Sequence, residues 1–191
     1  MARDAAFACV RAQGGRWVGE AFLPLGRRRE EEVVAAIKRS RADVVIGALV
    51  GQNAIDFHRA FAHAGLDGDT LRFGLLIDEN VVCGIGAEAT HNLFTAAHYF
   101  AARREGANAA FLERCHDALG EWAPPACATN VMFHRGVHFA AALARDGGGA
   151  RDLARPLSPR GLLGARPLER LGPVLLAAAD GVALDVVAEF A

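Results

Sequence analysis

Hydrophobic positions between residues 21 and 100 switch repeatedly between a strand pattern and a helical pattern. Continuous apolar runs at 43–50 and 71–77 predict two strands, the first covered on both faces of its sheet. The segments 30–39 and 53–64 concentrate apolar residues on one face, which predicts amphipathic helices. Strands and helices that alternate through short links predict an α/β fold with a doubly wound parallel sheet.

Shorter patterns extend this region at both ends. An apolar face over 4–13 predicts a first helix, which Gly14-Gly15 ends. Partial alternation over 17–23 predicts a strand, and 79–85 is predicted to be a short helix.

The pattern changes after residue 100. Helical periodicity predicts two helices, over 108–119 and 130–144, without a strong strand between them. A weakly patterned stretch over 147–166 is rich in Gly and Pro and indicates a linker. Two apolar runs that flank Asp180-Gly181 predict a C-terminal hairpin.

Composition narrows the classes of function. The 191 residues carry a formal net charge of -1, so no global basic field favours nucleic acid, and no direct nucleic-acid partner is expected. No apolar run is long enough to span a bilayer, so membrane insertion is not expected. The residues that follow Met1 do not show the pattern of a signal peptide. The chain as written is therefore expected in the cytoplasm, and in the periplasm if a longer N-terminus precedes Met1.

Catalytic and metal-binding patterns are weak in this sequence. The four cysteines share no CxxC spacing, and no GxSxG, Walker or complete GxGxxG motif occurs. His134 and His138 have the spacing of two ligands on one helix, but no third ligand is implied. We therefore predict a protein that is not an enzyme, with no catalytic residue, metal site or cofactor.

Two loops are candidates for a ligand site, because ligands of such sheets bind outside the carboxyl ends of the strands. Gly51-Gln52-Asn53 follows the strand at 43–50, and Asp78-Glu79 follows the strand at 71–77. Asn53 is predicted either as a plain N-cap of its helix or as a ligand contact. Asp78 and Glu79 have the same two interpretations, and the sequence leaves both open.

One family combines similar segments in the same order. The matching segments are Phe22-Leu23-Pro24-Leu25-Gly26, Ala42-Asp43-Val44-Val45-Ile46, Val50-Gly51, Phe57-His58-Arg59-Ala60, Gly86-Ala87-Glu88-Ala89 and Phe94-Thr95-Ala96-Ala97-His98-Tyr99-Phe100. In this order they resemble the periplasmic-binding-protein type I family, in the branch of amide-sensing regulators and urea- or amide-binding transporter components.

The resemblance implies two α/β lobes that enclose a ligand, of which the N-terminal half is missing here. Residues 1–93 would form the second-lobe α/β domain. Residues 94–150 would supply a crossing segment and helices of an incomplete first lobe. Residues 151–191 would be a linker and a hairpin that returns to the second lobe.

The resemblance also extends the list of candidate ligand-binding residues. Thr95 and Tyr99 lie on the implied crossing, which borders the ligand cleft in this family. Glu79 matches the family's acid, whereas Leu76 and Ile77 stand where relatives place a hydroxyl. Gly51-Gln52-Asn53 stands where relatives often have Gly-Asp-Ser. The full set of predicted ligand-binding residues is Gly51, Gln52, Asn53, Asp78, Glu79, Thr95 and Tyr99.

The implied function is non-catalytic binding of a small polar solute, an amide, urea or an amino acid, by lobe closure. Such a protein serves either an ABC permease or, as a cytoplasmic regulator, an antiterminator. The alternative is a truncated remnant or interaction module without a competent pocket. Helices over 107–145 are then expected to expose an apolar face and to self-associate through it.

Overall fold

A computed structural model describes residues 2–103, 106–145, 174–181 and 183–190. In chain order the elements are α1 (Ala2–Ala12), α2 (Glu30–Ser40), β1 (Val44–Gly47), α3 (Gly51–His63), β2 (Leu71–Gly74), α4 (Glu79–Ile85), β3 (Leu93–Ala97), α5 (Ala107–Leu119), α6 (Ala128–Arg145), β4 (Val174–Asp180) and β5 (Ala183–Phe190). Single 3-10 turns follow α4 and α5. The linker predicted at 147–166 lies outside the described residues.

The five strands form one sheet in the order β1-β2-β3-β4-β5. Strands β1, β2 and β3 run parallel, and the hairpin β4–β5 joins β3 antiparallel. The α/β fold is confirmed. The hairpin predicted around Asp180-Gly181 is also confirmed, and Gly181 supplies the positive φ of 60° at its turn.

Apolar contacts bury the helices against the sheet in two clusters. The smaller joins α2 to α3 through Val34, Phe57 and Phe61. The larger joins α3 and α4 to the strands through Ala54, Ile77, Val82, Ile85, Ala89, Leu93, Phe100, Ala177 and Leu184. The predicted apolar faces of α2 and α3 therefore pack into the core as expected. The same clusters hold α3 and α4, the helices that follow the carboxyl ends of β1 and β2, in place.

Strand β1 lies at the edge of the sheet and is only half covered. Its side chains Val44 and Ile46 are 52% and 40% exposed, whereas the intervening Val45 packs against the smaller cluster. The prediction of a strand covered on both faces is wrong here, because among the described residues only one face of β1 is packed. A continuous apolar run therefore did not distinguish an edge strand from a central one.

The predicted strand at 17–23 is wrong, since these residues adopt no regular secondary structure. The segment packs on α1 instead. The Trp17 ring meets Phe7 edge to face with 5.7 Å between ring centroids, and Arg3 pairs with Glu20 at 2.6 Å. Without a partner strand, partial alternation alone does not make a strand.

A buried cation lies between α3, β2 and β3. Arg72 on β2 is 1% exposed, and its Nη2 donates to the carbonyls of Ala89 at 2.9 Å and His91 at 2.6 Å. Its Nη1 donates to the His58 carbonyl at 3.3 Å, and the guanidinium lies 4.9 Å from the centre of the Phe61 ring. The side chain thus holds the chain before β3 against α3.

The two long helices after β3 are confirmed, and they differ from the others in their exposure. Met132, Phe133 and Val137 on α6 are exposed, as are Leu119 at the end of α5 and Trp122 in the 3-10 turn that follows it. The expected exposure of apolar residues on these helices is therefore present, while self-association through them stays a prediction. Among the described residues, no helix is both long and apolar enough to cross a membrane.

Candidate functional site

Three connections leave the carboxyl ends of the parallel strands at one edge of the sheet. The first leads from β1 into α3 at Gly51, and the second leads from β2 into α4 through Asp78. The third follows β3 and contains Tyr99. The strand register, Gly47 beside Gly74 and Gly74 beside Thr95, aligns these three ends. The edge is therefore where a solute would meet this sheet.

Asp78 caps helix α4. Its carboxylate accepts a hydrogen bond from the Val81 N–H at 3.1 Å, which satisfies one of the free donors of the first turn. The helix begins at Glu79 and ends at Ile85, as predicted. The capping interpretation of Asp78 holds, and the cap directs the next side chain, that of Glu79, into the protein.

Glu79 is a buried carboxylate that is only half satisfied. Its Oε1 accepts from the Ala101 N–H at 2.6 Å, whereas its Oε2 is buried and has no hydrogen-bond partner among the described residues. Burial raises the pKa of Glu79, the Ala101 N–H opposes that shift, and the neighbouring Asp78 adds to it. An orphaned carboxylate oxygen beneath the surface is a free acceptor, or a free donor when protonated.

Tyr99 supplies a second buried oxygen close to the first. Within the part of the chain that the structure describes, its hydroxyl has no hydrogen-bond partner. Burial and, second to it, the charge of Glu79 raise the pKa of Tyr99 to about 12. Asn108 acts in the opposite direction on the pKa of Tyr99. Glu79 and Tyr99, two of the predicted site residues, are therefore brought together.

The surroundings of this pair come from the helices after β3 and include residues that the sequence did not indicate. Asn108 and Cys115 on α5 and Cys127 before α6 all act on the Tyr99 hydroxyl. Burial raises the pKa of the Cys127 thiol, and its Sγ donates to Asn130 Oδ1 at 2.6 Å. Their position near Glu79 depends on the path of the chain after residue 100. The sequence therefore contains no spacing that would predict that these residues approach Glu79.

The Gly51-Gln52-Asn53 loop departs from one of its two predicted interpretations, whereas a ligand contact at Asn53 stays a prediction. The predicted N-cap role of Asn53 is wrong, because α3 begins at Gly51 and Val50 is the capping residue. Asn53 Oδ1 accepts from the Gly26 N–H at 3.1 Å, and its Nδ2 donates to the Arg27 carbonyl at 3.4 Å. Its side chain therefore ties the chain before α2 to α3. Gln52 is exposed and donates to Asp56 at 2.7 Å.

Thr95 has a structural role in the sheet. It is buried on β3, and its hydroxyl donates to the Ile77 carbonyl at 2.9 Å. This bond fixes the connection between β2 and α4, and thereby the position of Asp78 and Glu79. Thr95 thus supports the position of Glu79 through the chain that leads to it, without a hydrogen bond to Glu79 or Tyr99 among the described residues. Within the described part of the chain, no group of three or more His, Cys, Asp or Glu side chains is arranged to hold a metal ion.

Comparisons with known proteins bear on the family and the fold of the chain. A family model described as periplasmic binding protein matches residues 2–155. A solute-binding protein of an ABC transporter from R. palustris, solved with benzoate, superposes with a TM-score of 0.73 at 20% identity over 94% of this chain. A leucine-binding protein from Thermotoga maritima gives 0.72 at 14% identity over 98%.

The matches cover nearly all of this chain but only about half of each solved structure. This chain covers 51% of the R. palustris protein and 55% of the T. maritima protein, so it spans about half their length. A second R. palustris protein, solved with 4-hydroxybenzoate, gives a TM-score of 0.73 at 18% identity over 98% of this chain and 55% of its own. A comparison with curated protein sequences finds no significant match. From the family match and the shared fold, the chain belongs to the periplasmic-binding-protein family and has the type I fold.

Proposed function

We propose that the chain contributes to the binding of a small polar solute at the carboxyl ends of β2 and β3, and that it acts without catalysis. The observation that carries the proposal is the pair of buried, unpartnered oxygens, Glu79 Oε2 and Tyr99 Oη. Buried polar groups normally have partners, and each unmet group costs about 1–3 kcal/mol. A solute that fills both hydrogen-bond positions recovers that cost.

The chemistry of the pair favours a solute with a nitrogen donor. A carboxylate oxygen accepts from an amide N–H or an ammonium group, and the phenol donates to a carbonyl or carboxylate oxygen. Amides, urea and amino acids carry both groups within a few atoms. Benzoate, which the R. palustris relative binds, would place a second negative charge beside Glu79 and is disfavoured here.

Access to these oxygens requires the helices after β3 to separate from the sheet edge. Asn108 and Cys115 of α5 surround the Tyr99 hydroxyl, so an open state would move α5 away from Glu79 and Tyr99. A solute that contacts both the Glu79–Tyr99 pair and α5 binds the closed state more tightly than the open state, and therefore stabilises the closed state. In this proposal the complete protein serves an ABC permease. Control of an antiterminator by an amide-sensing regulator is the alternative role.

Thermal unfolding with a panel of solutes tests the proposal. Acetamide, butyramide, urea, leucine and benzoate are added separately to the purified chain. A solute that binds only the folded state adds about 2.7 kcal/mol of stability at 100 times its Kd, and its effect continues to grow with the logarithm of the solute concentration. A rise in melting temperature that follows this logarithmic dependence is expected with an amide, urea or leucine. The proposal fails if no nitrogen-bearing solute shifts the transition, or if benzoate alone does.

A second candidate function, that of an interaction module, is favoured by the exposed Met132, Phe133 and Val137 on α6. Large exposed apolar side chains grouped on one helix are typical of contact surfaces. Sedimentation over a range of protein concentrations distinguishes this candidate. Association that Phe133→Ser weakens, without any solute response in the thermal panel, would replace solute binding as the function. A monomer at all concentrations would exclude self-association.

A further inference from the structure

Two imidazoles on α6 converge on one another, away from the Glu79–Tyr99 pair. His134 and His138 are four residues apart, so they lie one above the other on one face of the helix. Their Nε2 atoms are 3.1 Å apart, and the two ring planes are inclined at 57°. Both rings thus present the nitrogen that binds metals toward a single point.

The distance between the two nitrogens matches a shared metal ion. Metal–imidazole bonds of about 2.0–2.1 Å from one ion to two nitrogens 3.1 Å apart enclose an angle of about 98°. This value lies between the right angle of square-planar or octahedral sites and the wider angle of tetrahedral ones. The separation of the two nitrogens is therefore compatible with both binding the same ion, which would replace the hydrogen bond between the rings.

Packing holds one of the rings in place while leaving the pair accessible. Phe111 on α5 meets the His134 ring edge to face with 4.9 Å between centroids. His138 is exposed, so solvent reaches the point where the nitrogens converge. A ligand held by packing before binding loses less conformational freedom when the ion arrives.

We propose that His134 and His138 form a bidentate site for a first-row divalent cation of the Ni²⁺, Cu²⁺ or Zn²⁺ class. Imidazole ligands suit these ions, whereas Mg²⁺ and Ca²⁺ select oxygen ligands. Among the described residues, no third His, Cys, Asp or Glu completes the site. Water fills the remaining positions, so the ion is exchangeable and open to a further ligand from a partner.

Calorimetric titration of the untagged chain with NiCl₂ tests the site. The variants are His134→Ala and His138→Ala, with His116→Ala as the matched control, since His116 is an exposed histidine on the neighbouring α5. Loss of an outer-shell partner alone costs about 10-fold or more in metal affinity, so loss of either ligand should cost at least that. His116→Ala should bind Ni²⁺ as the unaltered chain does, and MgCl₂ should not bind at this site.

Two results would overturn the proposal. If both single variants bind Ni²⁺ as tightly as the unaltered chain, other imidazoles or thiols hold the ion. A measurement without substitution covers the case of a misfolded variant: paramagnetic Ni²⁺ should broaden the backbone amide resonances of α6 around His134 and His138 first. Broadening that begins elsewhere, for example near Cys9 or Cys83, contradicts the site.

Discussion

Arg72 and His58 meet in the core, where Nη1 of the guanidinium lies 3.2 Å from Nδ1 of the imidazole. Burial lowers the pKa of His58 to about 3, and the positive charge of Arg72 adds to the shift. The imidazole therefore stays neutral and leaves Nδ1 free to accept from Arg72. Two basic side chains share one buried site because only one of them carries a charge.

The His58 shift predicts an acid-sensitive fold. A folded-state pKa of about 3 against an ordinary value of 6.5 means that the unfolded chain binds more protons between these limits. The stability that His58 contributes is complete above pH 6.5. It is lost as pH falls toward 3, by at most about 1.4 kcal/mol per pH unit. Urea unfolding between pH 5.5 and 7.5 measures this slope before most carboxylates titrate.

A variant pair isolates the contribution of His58. His58→Gln keeps a polar side chain but removes the titrating group, so the slope between pH 5.5 and 7.5 should become shallower. His63→Gln, at an exposed position on the same helix, should leave the slope unchanged. Equal slopes in the two variants would contradict a neutral His58 in the core.

Arg72 is predicted to stabilise the fold through its hydrogen bonds rather than through an ion pair. Arg72→Met fills similar space but removes the donor to the Ala89 and His91 carbonyls. Each buried carbonyl left without a donor costs about 1–3 kcal/mol, so we expect a loss of a few kcal/mol in the free energy of unfolding. Chemical denaturation measures it.

The matched control for Arg72 is Arg39→Met on the exposed face of α2, which should change stability by no more than about 0.5 kcal/mol. If Arg72→Met is as stable as this control, the desolvation of the guanidinium offsets its hydrogen bonds, and the assigned role is wrong.

Thr95 is predicted to act on the β2–α4 connection. Thr95→Val keeps the shape of the side chain but leaves the Ile77 carbonyl without its donor, at a cost of about 1–3 kcal/mol. Thr95→Ser keeps the hydroxyl and should lose less. Denaturation of both variants gives the comparison. A Val variant more stable than the Ser variant would show that the methyl group, not the hydrogen bond, matters here.

Tyr99 offers a spectroscopic test of the candidate site, because it is the only tyrosine in the sequence. The pKa of its phenol is raised to about 12, so the folded chain should form little tyrosinate at pH 10.5, whereas the denatured chain titrates near the usual value of about 10. Since the folded-state pKa is the higher one, the associated stability is present below pH 10 and falls as pH rises toward 12.

The same titration reports on the neighbouring carboxylate. Glu79→Gln removes a negative charge from beside the phenol, so the pKa of Tyr99 should fall. Glu121→Gln, an exposed substitution, should not move it. An unchanged Tyr99 titration in Glu79→Gln would mean that the two side chains are not neighbours.

Local patterns predicted the helices well and the sheet less well. Helix α2 was predicted over 30–39 from its initial acids, its apolar stripe and its terminal bases. The predicted limits of 79–85 match α4. The segment 17–23 failed because strand formation depends on a partner, and here Trp17 packs on Phe7. The prediction that Val44 and Ile46 are covered failed for a related reason. The sequence alone does not say which strand lies at the edge of the sheet, and β1 lies there.

The candidate site was predictable only in part. The carboxyl-end rule and the family resemblance together selected Glu79 and Tyr99, and the charge of Glu79 does act on the Tyr99 phenol. The N-cap role predicted for Asn53 was wrong because the partners of its side chain, Gly26 and Arg27, come from a loop whose position depends on tertiary packing. Asn108 and Cys127 reach the site only through the path of the chain after β3, and no local signal encodes that path.

The central claim, solute binding at Glu79 and Tyr99, is tested most directly by calorimetric titration with leucine and butyramide. The unaltered chain is compared with Glu79→Gln, Tyr99→Phe and the control Glu121→Gln. Each site variant removes one charge or hydroxyl and should weaken binding by about 10-fold or more, the equivalent of about 1.4 kcal/mol. Glu121→Gln should bind as the unaltered chain does. Binding of equal strength in all four proteins, or none in the unaltered chain, would contradict the account.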